Sequence, residues 1–119
     1  MSKSLFERLG GIEGITNIAS DLIDNDVANK ATAPRFAKSD IPKIKNTVAT
    51  FIITGTGGPN VYKGKDVLSA HKGMNISAVE FMATLDNVLA ALNKNNIGQR
   101  EQEEVLFMLY SMRSQVVLV

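Results

Sequence analysis

The residue with the widest chemical repertoire in this chain is its single histidine, His71. An imidazole can bind a metal, transfer a proton or form a hydrogen bond inside a core. Val67 and Leu68 precede it by four and three residues and Met74 follows by three, so a helix would place these side chains on one face. His71 is therefore predicted to point inward. Spacing alone leaves open whether it is a ligand or an ordinary core histidine.

The other candidate motifs are incomplete. The chain has no cysteine and one histidine, which excludes disulfides, thiolate metal sites and zinc sites that need two histidines. The glycine-rich residues 55–60 lack the final glycine of a dinucleotide-binding loop, and they follow a predicted helix where that motif requires a strand. Glu101, Glu103 and Glu104 are expected to favour the positive end of the last helix and not to bind a metal. No function follows from these motifs.

Size and charge narrow the function classes. The 119 residues predict one domain over residues 1–119, and 45% hydrophobic with 21% charged residues is usual for globular proteins. Lys and Arg number 13 and Asp and Glu number 12, so a net charge of +1 is too small to attract nucleic acid or an anionic membrane. No apolar run suits a membrane-spanning helix and no signal-peptide pattern follows Met1, so a cytoplasmic protein is predicted.

The spacing of apolar residues predicts an all-α fold. No region alternates with period two over a useful length, so a sheet is not expected. Loops are predicted at residues 25–34 and from Gly55 to Lys65. The predicted helices are two short ones meeting at Gly10 and Gly11, one capped by Asp40, a short one at residues 66–74, one with a capping box at Ser77, and a last one at residues 99–117.

Three segments of the chain form a distinctive series. They read LFERLGG at residues 5–11, APRFA at residues 33–37 with Asp40 shortly after, and GGPNVYKGKDVLSAHKGMNI at residues 57–76. In this order they resemble the truncated haemoglobins of group I, and the resemblance runs from about Ser4 to Val117 without a gap. It implies a truncated (2-on-2) globin fold, in which helices cross around one haem.

The resemblance also implies a haem b cofactor, with His71 as the proximal iron ligand. The second ring nitrogen of His71 is expected to donate to a backbone carbonyl, which would hold the ring orientation. Phe36 matches an aromatic residue that packs against the porphyrin, and Lys43 and Tyr62 match residues that reach the haem propionates. The remaining positions implied to contact haem are apolar and comprise Ile41, Ile44, Val48, Phe51, Val67, Leu68, Ile76 and Phe81.

The far side of the haem is where the chain departs from this family. Many relatives carry a tyrosine and other polar residues around the bound gas, whereas the matching residues here are Ile23, Ile44 and Val48. Bound oxygen takes up negative charge, and a hydrogen bond to such a group contributes about 1.5–3 kcal/mol. Its loss predicts faster oxygen release and a smaller effect on carbon monoxide. Thr47 is expected to point off this face of its helix.

Together these features predict reversible binding of a diatomic gas, namely oxygen, carbon monoxide or nitric oxide. Burying the ammonium group of Lys43 or Lys45 as a second iron ligand would be costly, so a five-coordinate ferrous haem is predicted. Two alternatives stay open: a haem enzyme, either a nitric oxide dioxygenase or peroxidase-like, and a haem-free helical interaction module. A ligand-binding protein is favoured over an enzyme because both reactions need polar groups around bound oxygen.

The predicted partners follow from the same hypothesis. Gas molecules are expected as ligands, nucleic acid and membranes are not expected, and a reductase is an open alternative. The apolar tail at residues 116–119 could form a dimer contact or the last helical turn over the core. A monomer or a weak dimer is therefore expected.

Overall fold

The chain folds into six α-helices over the part that the structure describes. The computed structural model describes residues 3–119, with helices α1 Leu5–Arg8, α2 Gly11–Ala28, α3 Ile41–Gly55, α4 Val67–His71, α5 Ala78–Lys94 and α6 Gln99–Tyr110. Short 3-10 turns span Ala33–Phe36 and Arg113–Gln115. Within residues 3–119 the only β-type pairing is a parallel bridge between Ile76 and Val117. The predicted all-α fold is confirmed.

Helix starts follow the capping signals in the sequence. The Asp40 carboxylate accepts a hydrogen bond from the Lys43 amide at 3.2 Å, at the start of α3. At α5, Ser77 Oγ accepts from the Glu80 amide at 3.1 Å and the Glu80 carboxylate accepts from the Ser77 amide at 2.8 Å. This is the predicted capping box, and it satisfies amides that a helix leaves free at its N-terminus.

The central helix is α2, which packs against α3, α5 and the Ala33–Phe36 turn. α1 packs against α2 and α6, and α6 packs against α5. Between α1 and α2, Gly10 and Gly11 take left-handed φ values of 99° and 68°, which glycine adopts without the steric cost that other residues incur. The predicted glycine corner is confirmed. Within the described residues, no helix is both long and apolar enough to cross a bilayer.

The apolar side chains form two separate cores. The larger lies among α2, α3, α5 and α6 and includes Leu9, Ile15, Ile18, Leu22, Ile23, Ile52, Ile53, Val88, Ala91, Leu92 and Val105. The smaller consists of Phe81, Leu85 and Val116. Half-buried apolar side chains lie along the border of each core. These borders are the parts of the fold that the helices leave incompletely covered.

The predicted loop at residues 25–34 is wrong at its start, because α2 continues to Ala28. Asp26 is only 3% exposed there. Asn87 Nδ2 on α5 donates to its Oδ1 at 2.6 Å, and Thr32 Oγ1 donates to its main-chain oxygen at 2.7 Å. The run of polar residues predicted a solvent-exposed loop. The Asp26 carboxyl group is buried instead, because side chains from another helix hydrogen-bond to it.

The last helix is also shorter than predicted, since α6 ends at Tyr110 and does not reach residue 117. The Arg113–Gln115 turn then brings Val116 into the smaller core, where it is 9% exposed. The Leu118 amide donates to the Ile76 carbonyl at 2.9 Å. The tail is therefore paired with the loop after α4 and is not the final turn of a helix. Apolar spacing fits both arrangements, so it could not separate them.

Candidate functional site

His71 is the last residue of α4, and a main-chain contact orients its ring. Nδ1 lies 2.8 Å from the carbonyl oxygen of Val67, as predicted for the second ring nitrogen. A carbonyl oxygen only accepts, so the proton of the neutral imidazole is on Nδ1 and the lone pair is on Nε2. Within residues 3–119, Nε2 forms no hydrogen bond. This is the tautomer that metal binding through Nε2 requires.

The helix that carries His71 depends on its surroundings. α4 has five residues, and a helix this short is not stable alone in water. Asp66 caps it by accepting from the Ser69 amide at 3.2 Å, and hydrogen bonds from the Ser69 side chain and amide hold the pKa of Asp66 below its ordinary value. At its other side, α4 packs against the Arg113–Gln115 turn.

Two sets of side chains at the borders of the two cores include residues implied to contact haem. We call one set the histidine face; it consists of Val67, Ile76 and Phe81 of the smaller core and of His71, whose ring contacts the Val67 carbonyl. The other set, the apolar face, lies at the larger core and consists of Ile23, Phe36, Ile44, Val48 and Phe51. Except for the buried Ile23 and Phe81, these residues are only partly covered, and α3 and α4 do not pack as neighbouring helices. We infer that the two faces border a cleft.

Two threonines of α3, Thr47 and Thr50, use their hydroxyl groups for hydrogen bonds to main-chain carbonyls of the same helix. Thr47 Oγ1 donates to the Lys43 carbonyl at 3.0 Å, and Thr50 Oγ1 donates to the Thr47 carbonyl at 2.9 Å. Thr47 is exposed, as its helical position predicted. The ammonium group of Lys45 pairs with Asp24 at 2.8 Å. These polar groups are therefore not directed to a guest on the apolar face.

Thr54 organises the loop between α3 and α4, although no sequence motif singled it out. Its Oγ1 accepts from the amides of Val61 at 3.1 Å and Tyr62 at 3.0 Å, and donates to the Pro59 carbonyl at 3.3 Å. The Tyr62 ring then packs edge-on against Phe51, with centroids 5.3 Å apart. The signal that could have identified Thr54 is a hydroxyl residue in the last turn of a helix before a loop without regular structure.

The structure places four of the residues implied to contact haem as follows. The Tyr62 hydroxyl donates to the Lys65 carbonyl at 2.5 Å, so its proton is used within the loop. Leu68 is 44% exposed. Lys43 is exposed, which is compatible with a contact at the edge of the cleft. Ile41 is half-buried at the border of the larger core.

Two shallow depressions lie elsewhere on the surface. One is lined by residues of α1, α3 and α6, including Phe107 and Met108. The other lies on the outer side of α5 around Val79 and Met82. Neither is lined by His71 or by another titratable group with a shifted pKa except Glu104, which is paired with Arg8. Neither depression includes the candidate ligand His71, so the cleft that we infer between the two faces is the better candidate for chemistry.

Comparison with known proteins identifies the family. Residues 4–118 match the family of bacterial-like globins. The chain is a bacterial-like globin. This match covers nearly the whole chain, so the family assignment includes α4 and both faces of the cleft.

This globin is similar to proteins named group 1 truncated hemoglobins. It is 29% identical to the one from Tetrahymena pyriformis over 92 residues, which cover 77% of this globin and 76% of that relative. It is 21% identical to the one from Nostoc commune over 114 residues, covering 96% and 97%. The crystal structure of the Tetrahymena pyriformis protein in its Fe(III) form matches with a TM-score of 0.94 at 25% identity, covering 98% of this globin and 100% of that chain. The predicted truncated globin fold is confirmed.

Membership in a globin family implies haem binding, and the residues of this globin fit that cofactor. Nε2 of His71 offers an unprotonated nitrogen, the donor that haem iron takes from a proximal histidine. The half-buried side chains of the two faces still expose apolar surface, and covering it with a porphyrin would be favourable. The donor set and the apolar surface therefore agree with the family.

Proposed function

We propose that this globin binds haem b through Nε2 of His71 and reversibly binds a diatomic gas at the apolar face. The contact between His71 Nδ1 and the Val67 carbonyl carries the proposal, because it leaves Nε2 as the free ligand atom. When bound, haem supplies the iron to which the gas attaches. The chain supplies the ligand, the apolar enclosure and the selectivity.

The side chains of both faces would hold the porphyrin and exclude water from it. Phe36 and Phe51 would cover the ring from the apolar face, and Val67 and Ile76 from the histidine face, since each is half-buried. Lys43 is exposed and could pair with a propionate at the edge of the cleft. Tyr62 would have to release the Lys65 carbonyl before donating to the second propionate, so we assign it a packing role first.

The apolar face would set the selectivity among gases. Ile23, Ile44 and Val48 carry no donor, so bound oxygen would lose a stabilisation of about 1.5–3 kcal/mol that a charge-assisted hydrogen bond provides. Carbon monoxide carries little charge and would be affected much less. The expected result is fast oxygen release and a shift of the affinity ratio towards carbon monoxide.

A five-coordinate ferrous haem is supported by the positions of the two nearest lysines. Lys45 is paired with Asp24, and Lys43 is exposed. Moving either ammonium group into the apolar cleft would remove it from water or from its partner, which costs free energy. A reversible gas carrier is favoured over a haem enzyme because the apolar face offers no group to manage protons on a bound gas.

Replacing His71, the proposed iron ligand, tests the proposal. Purified wild-type protein should contain one haem per chain and show a five-coordinate ferrous spectrum at pH 7. His71→Ala should lose its haem, whereas Lys72→Ala, an exposed change at the residue next to it, should retain it. A colourless wild type would support the haem-free interaction module. Haem retained in His71→Ala with an unchanged spectrum would show that another residue is the ligand.

A further inference from the structure

The loop between α4 and α5, residues 72–77, directly follows His71 and has an unusual backbone. Gly73 and Asn75 take left-handed φ values of 88° and 52°. The internal hydrogen bond that closes the turn runs from the Met74 amide to the His71 carbonyl at 3.0 Å. Main-chain groups of Gly73, Met74, Asn75 and Ile76 are held by two parts of the chain that are remote in sequence.

Arg35 holds the loop from one side. Its Nε and Nη2 donate to the two oxygens of Glu80 at 2.6 and 3.1 Å, and its Nη1 donates to the Met74 carbonyl at 2.8 Å. Glu80 also accepts from the Ser77 amide at the end of the loop. Hydrogen bonds from Arg35 and Ser77 lower the pKa of Glu80 to about 2, so the pair is charged at neutral pH. A planar guanidinium is suited to such a two-point contact.

The C-terminal residues hold the same loop from the other side. The amides of Gly73 and Asn75 donate to the main-chain oxygen of Val119 at 3.2 and 3.0 Å. The Leu118 amide donates to the Ile76 carbonyl at 2.9 Å, next to the bridge between Ile76 and Val117. The preceding Arg113–Gln115 turn packs against α4. The end of the chain therefore contacts both the helix that carries His71 and the loop behind it.

The position of His71 depends on this loop for a physical reason. A five-residue helix has little cooperativity of its own, so its orientation follows from what holds its two ends. The Asp66 cap holds the first end. At the second end His71 passes directly into the loop, so a displacement of the loop would move the imidazole.

We propose that Arg35 and residues 117–119 form a two-sided clamp that positions His71 and thereby sets the strength of its bond to haem iron. The clamp rests on the proposed function, since it concerns the same histidine. Arg35 acts as a positioning residue, because it reaches His71 only through the loop. Its neighbour Phe36 belongs to the apolar face, so the Arg35–Glu80 pair also ties the turn beside that face to the histidine face.

Removal of the Arg35 contact tests one side of the clamp. In haem-loaded Arg35→Gln, hydrogen exchange of the segment 72–77 should accelerate by about tenfold, the effect of losing one charge-assisted contact. The iron–histidine stretching band in the resonance Raman spectrum of the ferrous form should shift and broaden. Arg8→Gln is the matched control, because Arg8 binds Glu101 and Glu104 between α1 and α6. It should leave both measurements unchanged. Arg35→Lys should recover part of the shift.

Substitutions of Leu118 test the contact that residues 117–119 make with the loop, and they leave Arg35 unchanged. The Leu118 side chain is 67% exposed and its φ is 56°, so proline removes the bonded amide and cannot adopt this angle. Leu118→Pro should give the same two changes as Arg35→Gln. Leu118→Gly keeps the amide and tolerates the angle, so it should behave as the wild type.

The failure of the clamp and the failure of the proposed function give different results. A wild type that binds no haem, or a His71→Ala variant that keeps its haem spectrum, contradicts the proposed function. A wild type that binds haem through His71, with Arg35→Gln and Leu118→Pro indistinguishable from Arg8→Gln in both measurements, overturns the clamp alone.

Discussion

The two faces of the cleft use polar groups in opposite ways. On the histidine face, the ring of His71 is held by the Val67 carbonyl and the following loop is held by Arg35 and the tail. On the apolar face, the hydroxyls of Thr47 and Thr50 are bonded to their own helix. The chain therefore stabilises its proposed iron ligand with hydrogen bonds, and in the proposed function the apolar face would offer none to a guest. Selectivity among gases would then follow from the lack of a hydrogen-bond donor on the apolar face.

The largest expected effect comes from giving the apolar face a donor. Val48→Gln places an amide near the bound gas and should slow oxygen release by about tenfold to a hundredfold, since a charge-assisted hydrogen bond contributes about 1.5–3 kcal/mol. Carbon monoxide release should change little. Stopped-flow and flash-photolysis rates on the haem-loaded variant measure both. Thr47→Gln, an exposed neighbour on α3, is the control. An unchanged oxygen rate in Val48→Gln would show that another donor already serves the apolar face.

The second prediction concerns the buried carboxyl group that joins α2 to α5. Asp26 on α2 contacts α5 and has no ion-pair partner within residues 3–119. Burial raises its pKa from 3.8 to about 6, against the opposing hydrogen bonds from Asn87 and Thr84. As pH rises, the Asp26 carboxyl therefore ionises in the unfolded chain before it ionises in the folded chain. Its contribution makes the free energy of unfolding fall between about pH 4 and about pH 6, and the loss persists at higher pH.

Asp26→Asn should remove this pH-dependent component. The amide oxygen still accepts from Asn87 while no charge is buried, so the free energy of unfolding at pH 7 should rise by about 1–2 kcal/mol. Urea unfolding at pH 4, 5, 6 and 7 measures the change. Asp86→Asn, an exposed acid on α5, should leave the pH profile unchanged. A destabilised Asp26→Asn at pH 7 would mean that the carboxylate is held in its charged form.

The third prediction tests whether the apolar face covers the porphyrin. Phe36→Ala should speed haem loss to an acceptor protein by about fivefold, since a half-buried aromatic ring contributes about 1 kcal/mol through buried apolar area. Phe107→Ala removes a ring that is 78% exposed on α6 and should have no effect. Equal rates of haem loss in the two variants would place the Phe36 ring outside the haem contact.

The smallest effect is expected at the edge of the cleft. Lys43 is exposed, and exposed ion pairs contribute about 0–1 kcal/mol. Lys43→Ala should therefore change haem retention less than twofold, with a modest effect on haem orientation or on salt dependence. Haem-loss rates at low and high ionic strength provide the measurement. Complete loss of haem in Lys43→Ala would contradict a weak surface contact.

Much of the fold could be predicted from local patterns. Asp40 and the Ser77 capping box marked two helix starts, because a capping side chain acts within one turn of its own helix. Gly10 and Gly11 marked a corner for the same local reason. The end of α6 could not be predicted, since it depends on residues 117–119 pairing with a loop some forty positions earlier.

The candidate site shows the same division. His71 stood out by its residue type and its place in a distinctive segment, and the role of Nε2 follows from a contact four residues away in the same helix. Thr54 and Asp26 gave no usable signal. The role of each residue depends on hydrogen bonds to another part of the chain. The spacing of residue types along the sequence carries no information about such bonds.

The sequence by itself determined where several helices begin, the family resemblance, the single candidate ligand and the apolar character of Ile23, Ile44 and Val48. These depend on residue identity and on contacts within a few positions along the chain. Only the tertiary structure decided that Arg35 and the tail hold the loop behind His71, and that Asp26 is buried between α2 and α5. The reason is that a hydrogen bond between remote segments exists only once the cores have brought them together.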